Sequence, residues 1–93
     1  MPEMNFHVRW PDGSVEPCYS PSTVIRDYFS PGDQMSLAEF RQRSQQALTA
    51  ASDRVAAKYG FHCSSAADQL RQIQKRLATF SDDSQQITIL KME

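Results

Sequence analysis

Four side chains of this 93-residue chain carry the groups best suited to chemistry: His7, Cys18, His62 and Cys63. Two imidazoles and two thiols are a familiar zinc ligand set. A thiol beside an imidazole is also the starting point of a nucleophile–base pair. The spacing speaks against both. There is no C-x-x-C and no H-x-x-x-H, so the fold would have to gather four separate positions. On residue type alone, the metal candidates are His7, Cys18, His62 and Cys63, and the catalytic candidates are Cys63, Cys18 and His7.

Cys63 has one further argument. It lies in "KYGFHCSSAADQL", residues 58–70, where a helical pattern stops and restarts. Gly60 is placed to end one helix, and Ser64 or Ser65 to begin the next. A thiol at a helix N-terminus meets exposed N–H groups that stabilise its thiolate. That is a route to a thiol-dependent carrier or small enzyme using Cys63, with Cys18 as its partner. The structural alternative needs no chemistry. Cysteine is often buried filler, and the stretch reads as a turn between two packed helices with Phe61 plugging the core. The sequence has no Gly-rich phosphate loop and no nucleophile elbow, and its acids are scattered. No cofactor is implied, and a non-enzymatic role is the simpler expectation.

The elements that must position these groups follow from periodicity. In "MNFHVRW", residues 4–10, Met4, Phe6, Val8 and Trp10 alternate with Asn5, His7 and Arg9, the mark of a half-buried strand. "PDGS" is a turn, and "VEPCY" at 15–19 is the second strand of a hairpin. A four-residue loop pairs Trp10 with Val15, Val8 with Pro17 and Phe6 with Tyr19, placing all the apolar residues on one face. It also sets His7 opposite Cys18 and Arg9 opposite Glu16. A three-residue loop would pair Trp10 with Ser14 and Phe6 with Cys18. It would put Glu16 on the apolar face, so the pattern disfavours it. Pro17 marks an edge strand.

Ser20-Pro21 reads as the N-cap and first residue of a short helix ending before Pro31-Gly32. Ser36, with Glu39 three residues on, forms a capping box for a longer helix. Its apolar stripe is Leu37, Phe40, Leu48, Ala51, Val55 and Tyr59. The third helix carries Ala66, Leu70, Ile73, Leu77 and Phe80. "QITILKM", residues 86–92, is a last strand with Ile87 and Ile89 on one face and Thr88, Leu90 and Met92 on the other. Apolar residues on both faces suit a strand covered twice or set inside a sheet. The expected fold is a single α+β domain over residues 1–93, order ββαααβ. A small antiparallel sheet, made of the N-terminal hairpin and the C-terminal strand, packs on one short and two long helices.

Composition narrows the function classes. No apolar run is long enough to span a membrane, and the N-terminus lacks a signal-peptide pattern. The expected location is the cytoplasm, with both cysteines as thiols. Net charge is −1, with +4 over residues 37–80 and −5 over the remainder. Arg71, Lys75 and Arg76 lie off the third helix's apolar stripe and invite a helix-turn-helix comparison. The pI of about 6.1 is far from a basic nucleic-acid footprint, so a solvated helix face is the better reading. The edge strand and the last strand's second apolar face leave surface to cover, so a homodimer is expected.

Over Met1 to about Phe80 the chain resembles small bacterial nitrogen-starvation-response proteins encoded beside a nitrilase in a shared gene cluster. The resemblance is carried by "RWPDG", "CYSPS" and "KYGF", with the "CSSA" and "DQL" that follow. It implies that Cys18 and Cys63 belong to the family pattern and that His62 does not. The cluster neighbours, a radical-SAM protein, a flavoprotein, an acetyltransferase and a glycosyltransferase, imply a biosynthetic or nitrogen-scavenging pathway. The function expected from this is a non-catalytic accessory or adaptor protein with a protein partner from the same pathway.

Overall fold

The alternation at residues 4–10 becomes β1, Met4–Arg9, and the chain returns as β2, Val15–Ser20. A computed structural model describes residues 3–60 and 64–93. After a five-residue 3-10 helix, Thr23–Asp27, come β3, Gln34–Ser36, α1, Leu37–Tyr59, α2, Ser64–Leu77, and β4, Gln86–Met92. The four strands form one antiparallel sheet in the order β2-β1-β4-β3. The fold is α+β, with the helices on one face of the sheet.

Two features follow the expectation closely. β2 is an edge strand, and β4 lies inside the sheet between β1 and β3. β3 was not foreseen. Three residues with one buried side chain, Met35, are too short for an alternating pattern to register.

The hairpin adopts the register that the apolar pattern disfavours. Phe6 faces Cys18, Val8 faces Glu16 and Arg9 faces Val15. Trp10 N donates to Ser14 O at 2.8 Å and Gly13 N to Trp10 O at 2.9 Å, enclosing a three-residue loop, Pro11-Asp12-Gly13. Gly13 takes the left-handed conformation, φ 89°, that such a loop requires. The objection to this register was Glu16 on the apolar face. That cost is met locally, because the Trp10 indole Nε1 donates to Glu16 Oε1 at 3.2 Å and Glu16 stays half-buried. In return, Cys18 and Ser20 are buried and Val15, at 53% exposure, turns away from the core.

Ser20 is therefore the last residue of β2 rather than a helix cap. Its Oγ donates to Ser22 O at 2.7 Å, and Ser22 caps the 3-10 helix by accepting from Val24 N at 3.3 Å. α1 begins as foreseen, with Ser36 Oγ accepting from Glu39 N at 3.2 Å. It ends on Gly60, whose φ of 84° is the left-handed cap that glycine adopts without a Cβ penalty. Leu37, Phe40, Leu48, Ala51 and Val55 are buried, whereas Tyr59 at the end of the stripe stays 48% exposed. α2 buries Ala66, Ile73 and Leu77, with Leu70 and Phe80 partly covered. Phe61, expected to plug the core, lies outside the described residues.

β4 carries a bulge. Val8 faces Ile89 while His7 faces Lys91, leaving Leu90 as the extra residue. The bulge reverses the parity of the strand, so Met92 returns to the core side opposite Phe6 instead of sharing a face with Thr88. The core runs through a chain of aromatic contacts: Phe6 to Phe29 at 5.6 Å, Phe29 to Phe40 at 5.6 Å, Phe40 to Trp10 at 5.7 Å and Trp10 to Phe80 at 5.8 Å. Such pairs contribute beyond their buried area.

Candidate functional site

The register decides where the sequence-predicted site residues go. With Phe6 opposite Cys18, Cys18 joins the core face and His7, opposite Pro17, points to the other side. The expected His7–Cys18 neighbour pair is therefore split by the sheet, and so is the expected Arg9–Glu16 ion pair. Cys18 is fully buried, and its thiol is pushed up to about 12, chiefly by burial and further by the nearby Glu16 charge. At neutral pH it is a protonated, apolar core group. His62 and Cys63 lie outside the described residues. Among the described residues, no three His, Cys, Asp or Glu side chains gather as a metal site.

The hairpin tip is a clamp that the sequence reading missed. Asp12 accepts from Ser14 N at 3.0 Å and Ser14 Oγ at 2.6 Å, and takes Arg76 of α2 at 2.8 Å. These bonds, led by the Ser14 hydroxyl, lower the Asp12 carboxyl to about 2. The Arg76 guanidinium also sits over the Trp10 ring at 5.5 Å and the Phe80 ring at 5.3 Å. Arg71 pairs with Asp68. Two of the three basic side chains that suggested a nucleic-acid face are thus engaged within the chain. The signal available in the sequence was the Asp-Gly-Ser run, an Asx-turn composition.

On the outside of α1 lies a groove of about 770 Å³ lined by Tyr28, Gln42, Gln45, Gln46, Thr49 and Asp53. Its lining offers three amides, two hydroxyls and one carboxylate as hydrogen-bonding groups.

The face of the sheet away from the helices is the more informative surface. Val15 and Pro17 are exposed there, and Tyr19 and Leu90 are half-buried. Leu90 is on this face by its alternation with buried Ile89, and the bulge keeps the next residue, Lys91, on the same face opposite His7. Polar groups flank the apolar ones. His7 Nε2 lies 2.8 Å from Glu93 Oε1, and this bond, with help from Lys91, lowers the Glu93 carboxyl. Glu93 extends the ladder by exchanging backbone bonds with Asn5 at 2.8 and 2.9 Å. The Tyr19 hydroxyl donates to Glu3 Oε2 at 3.1 Å. Glu3 and Glu93 therefore mark one end of the strands, and exposed Arg9 marks the other.

The edge of the sheet is guarded. The outward N–H of Tyr19 donates to Gln69 Oε1 of α2 at 2.9 Å, and Pro17 has no N–H to offer. The Gln69 Nε2 is buried without a hydrogen-bond partner among the described residues.

Compared with known proteins, residues 5–92 match a family model described as nitrogen starvation-induced protein NitG, a span that takes in the strands and helices above except Met4, the first residue of β1. No curated protein and no solved structure matches the chain. Among the described residues, no helix is long and apolar enough to cross a membrane.

Proposed function

The chain belongs to the nitrogen starvation-induced protein family NitG, and from that premise we propose that it is a non-catalytic accessory protein that works by protein–protein contact on the open face of its sheet. One observation carries this reading. A four-stranded sheet has helices on only one side, and its other side presents Val15, Pro17, Tyr19 and Leu90 to solvent beside His7. Apolar side chains rimmed by polar ones are the surface that a protein partner covers. Of the described candidates for catalysis, His7 and Cys18 do not meet there, since Cys18 is on the far side of the sheet as a buried thiol.

The partner in this proposal is a protein of the same nitrilase-cluster pathway. The test is a pull-down from nitrogen-starved cells with the wild-type chain and with a Val15→Asp/Leu90→Asp variant. Recovery of a cluster-encoded protein by the wild type, and its loss from a variant that keeps its circular dichroism, supports the reading. Equal recovery by both chains, or recovery of no cluster-encoded protein in repeated trials, counts against it.

A further inference from the structure

We propose that the groove on the outside of α1 binds a neutral polyhydroxylated ligand, a mono- or disaccharide. The groove belongs to the helix layer, so the proposal stands apart from the docking reading of the open sheet face.

The charge pattern of α1 argues first. Between residues 44 and 52 the helix carries no charged side chain. A helix face turned to water normally does. Instead Gln42, Gln45, Gln46 and Thr49, at helical spacing, put neutral hydrogen-bonding groups on one side, and Asp53 closes the row. All of these side chains are exposed. Among the described residues, the three amides and the Thr49 hydroxyl bond to no other group of the chain.

The cations nearby in the helix stay out of the groove. Arg41 is held by Asp83 at 3.2 Å, and Arg43 by Glu39 at 3.2 Å and by Tyr28 O at 3.4 Å. Arg54 follows Asp53 but does not line the groove. With no cation among the described lining residues, a phosphate or carboxylate ligand finds no counter-charge there. An apolar ligand would strip water from three amides and a carboxylate and return no hydrogen bond.

The same groups suit a sugar. A primary amide sets a donor and an acceptor side by side, and neighbouring ring hydroxyls offer the complementary pair. The Asp53 carboxylate can accept from two hydroxyls at once. Tyr28 supplies the apolar wall. It is partly buried against the core, and the Arg43 bond to its carbonyl ties it to α1. Its ring can cover the C–H face of a pyranose. The volume of about 770 Å³ falls within the roughly 300–1,000 Å³ of small-molecule sites.

An NMR titration of the full, isotope-labelled chain tests the proposal. The probes are glucose, N-acetylglucosamine and maltose, each to about 50 mM, well above the millimolar Kd that a few exposed hydrogen bonds give. At least one sugar should shift the side-chain amide signals of Gln42, Gln45 and Gln46 to saturation and leave the exposed Gln72 of α2 in place. Gln45→Ala/Gln46→Ala should weaken that binding about tenfold or more. The double variant should keep its helix, because both positions are exposed and alanine is the best helix former. A glucose phosphate should bind no more tightly than glucose. No saturating shift with any of the three sugars overturns the proposal, and so does binding that survives the double substitution unchanged. Shifts at Gln72 equal to those in the groove would mark a general solvent effect and overturn it as well. Tighter binding of the phosphate ester would assign the groove to anions and overturn the neutral class.

Discussion

Phe6 and Cys18 face each other across the hairpin, both with no exposed surface, and this pairing sets which side of the sheet the other residues of the two strands face. It makes the Cys18 thiol part of the core and frees Val15, Pro17 and Tyr19 for the outer face. Each consequence can be measured.

Trp10 and His7 test the two faces. Trp10 is 1% exposed and packs on Phe40, Phe80 and Arg76. Trp10→Ala should cost about 3–5 kcal/mol, the range for truncating a buried large aromatic. A small domain holds about 5–15 kcal/mol in total, so the variant should be partly unfolded. His7→Ala should cost under about 0.5 kcal/mol, because His7 contributes one solvent-facing contact with Glu93. Urea titrations of both variants decide the matter, and a larger loss for His7→Ala would reverse the face assignment.

Cys18 should resist alkylation in the folded chain near neutral pH and react fully once urea unfolds it. Its folded pKa is raised to about 12 from an ordinary 9.0. Between those values the unfolded chain releases the thiol proton and the folded chain keeps it. The stability carried by this group is therefore complete below pH 9 and is lost as pH rises toward 12, at up to about 1.4 kcal/mol per pH unit. Cys18→Ser should cost about 1–3 kcal/mol by placing a hydroxyl in the same apolar site. Rapid labelling of Cys18 in the native chain would contradict its burial.

Gln69→Leu should separate edge protection from stability. The variant removes the acceptor for Tyr19 N and also removes the buried, unpartnered Nε2. The two effects oppose each other, so global stability should change by less than about 1 kcal/mol. The Tyr19 amide should nevertheless exchange hydrogen much faster, since its acceptor is gone. Unchanged exchange at Tyr19 would mean that Gln69 does not guard the edge.

Much of the architecture was legible because it is local. Ser36 and Gly60 bound α1 through bonds that reach only three or four residues, and a helical stripe or a strand alternation is a property of adjacent positions. Those signals determined the helices, the hairpin, the final strand and the α+β class. The hairpin register was not determined, since it turned on whether Glu16 could sit on the core face. A pattern of apolar residues counts Glu16 as an error, and only the fold shows the Trp10 indole placed to bond it. The bulge at Leu90 was hidden for a related reason: an extra residue in β4 has meaning only against β1, which is some eighty residues away. That single residue sends Met92 inward and leaves Lys91 on the open face in its place. The site was the least legible part. His7 and Cys18 are close in the ladder whichever register is chosen, but the sheet lies between them once Phe6 pairs with Cys18. Residue type and spacing pointed to the reactive groups, and tertiary packing decided that His7 and Cys18 face opposite sides of the sheet.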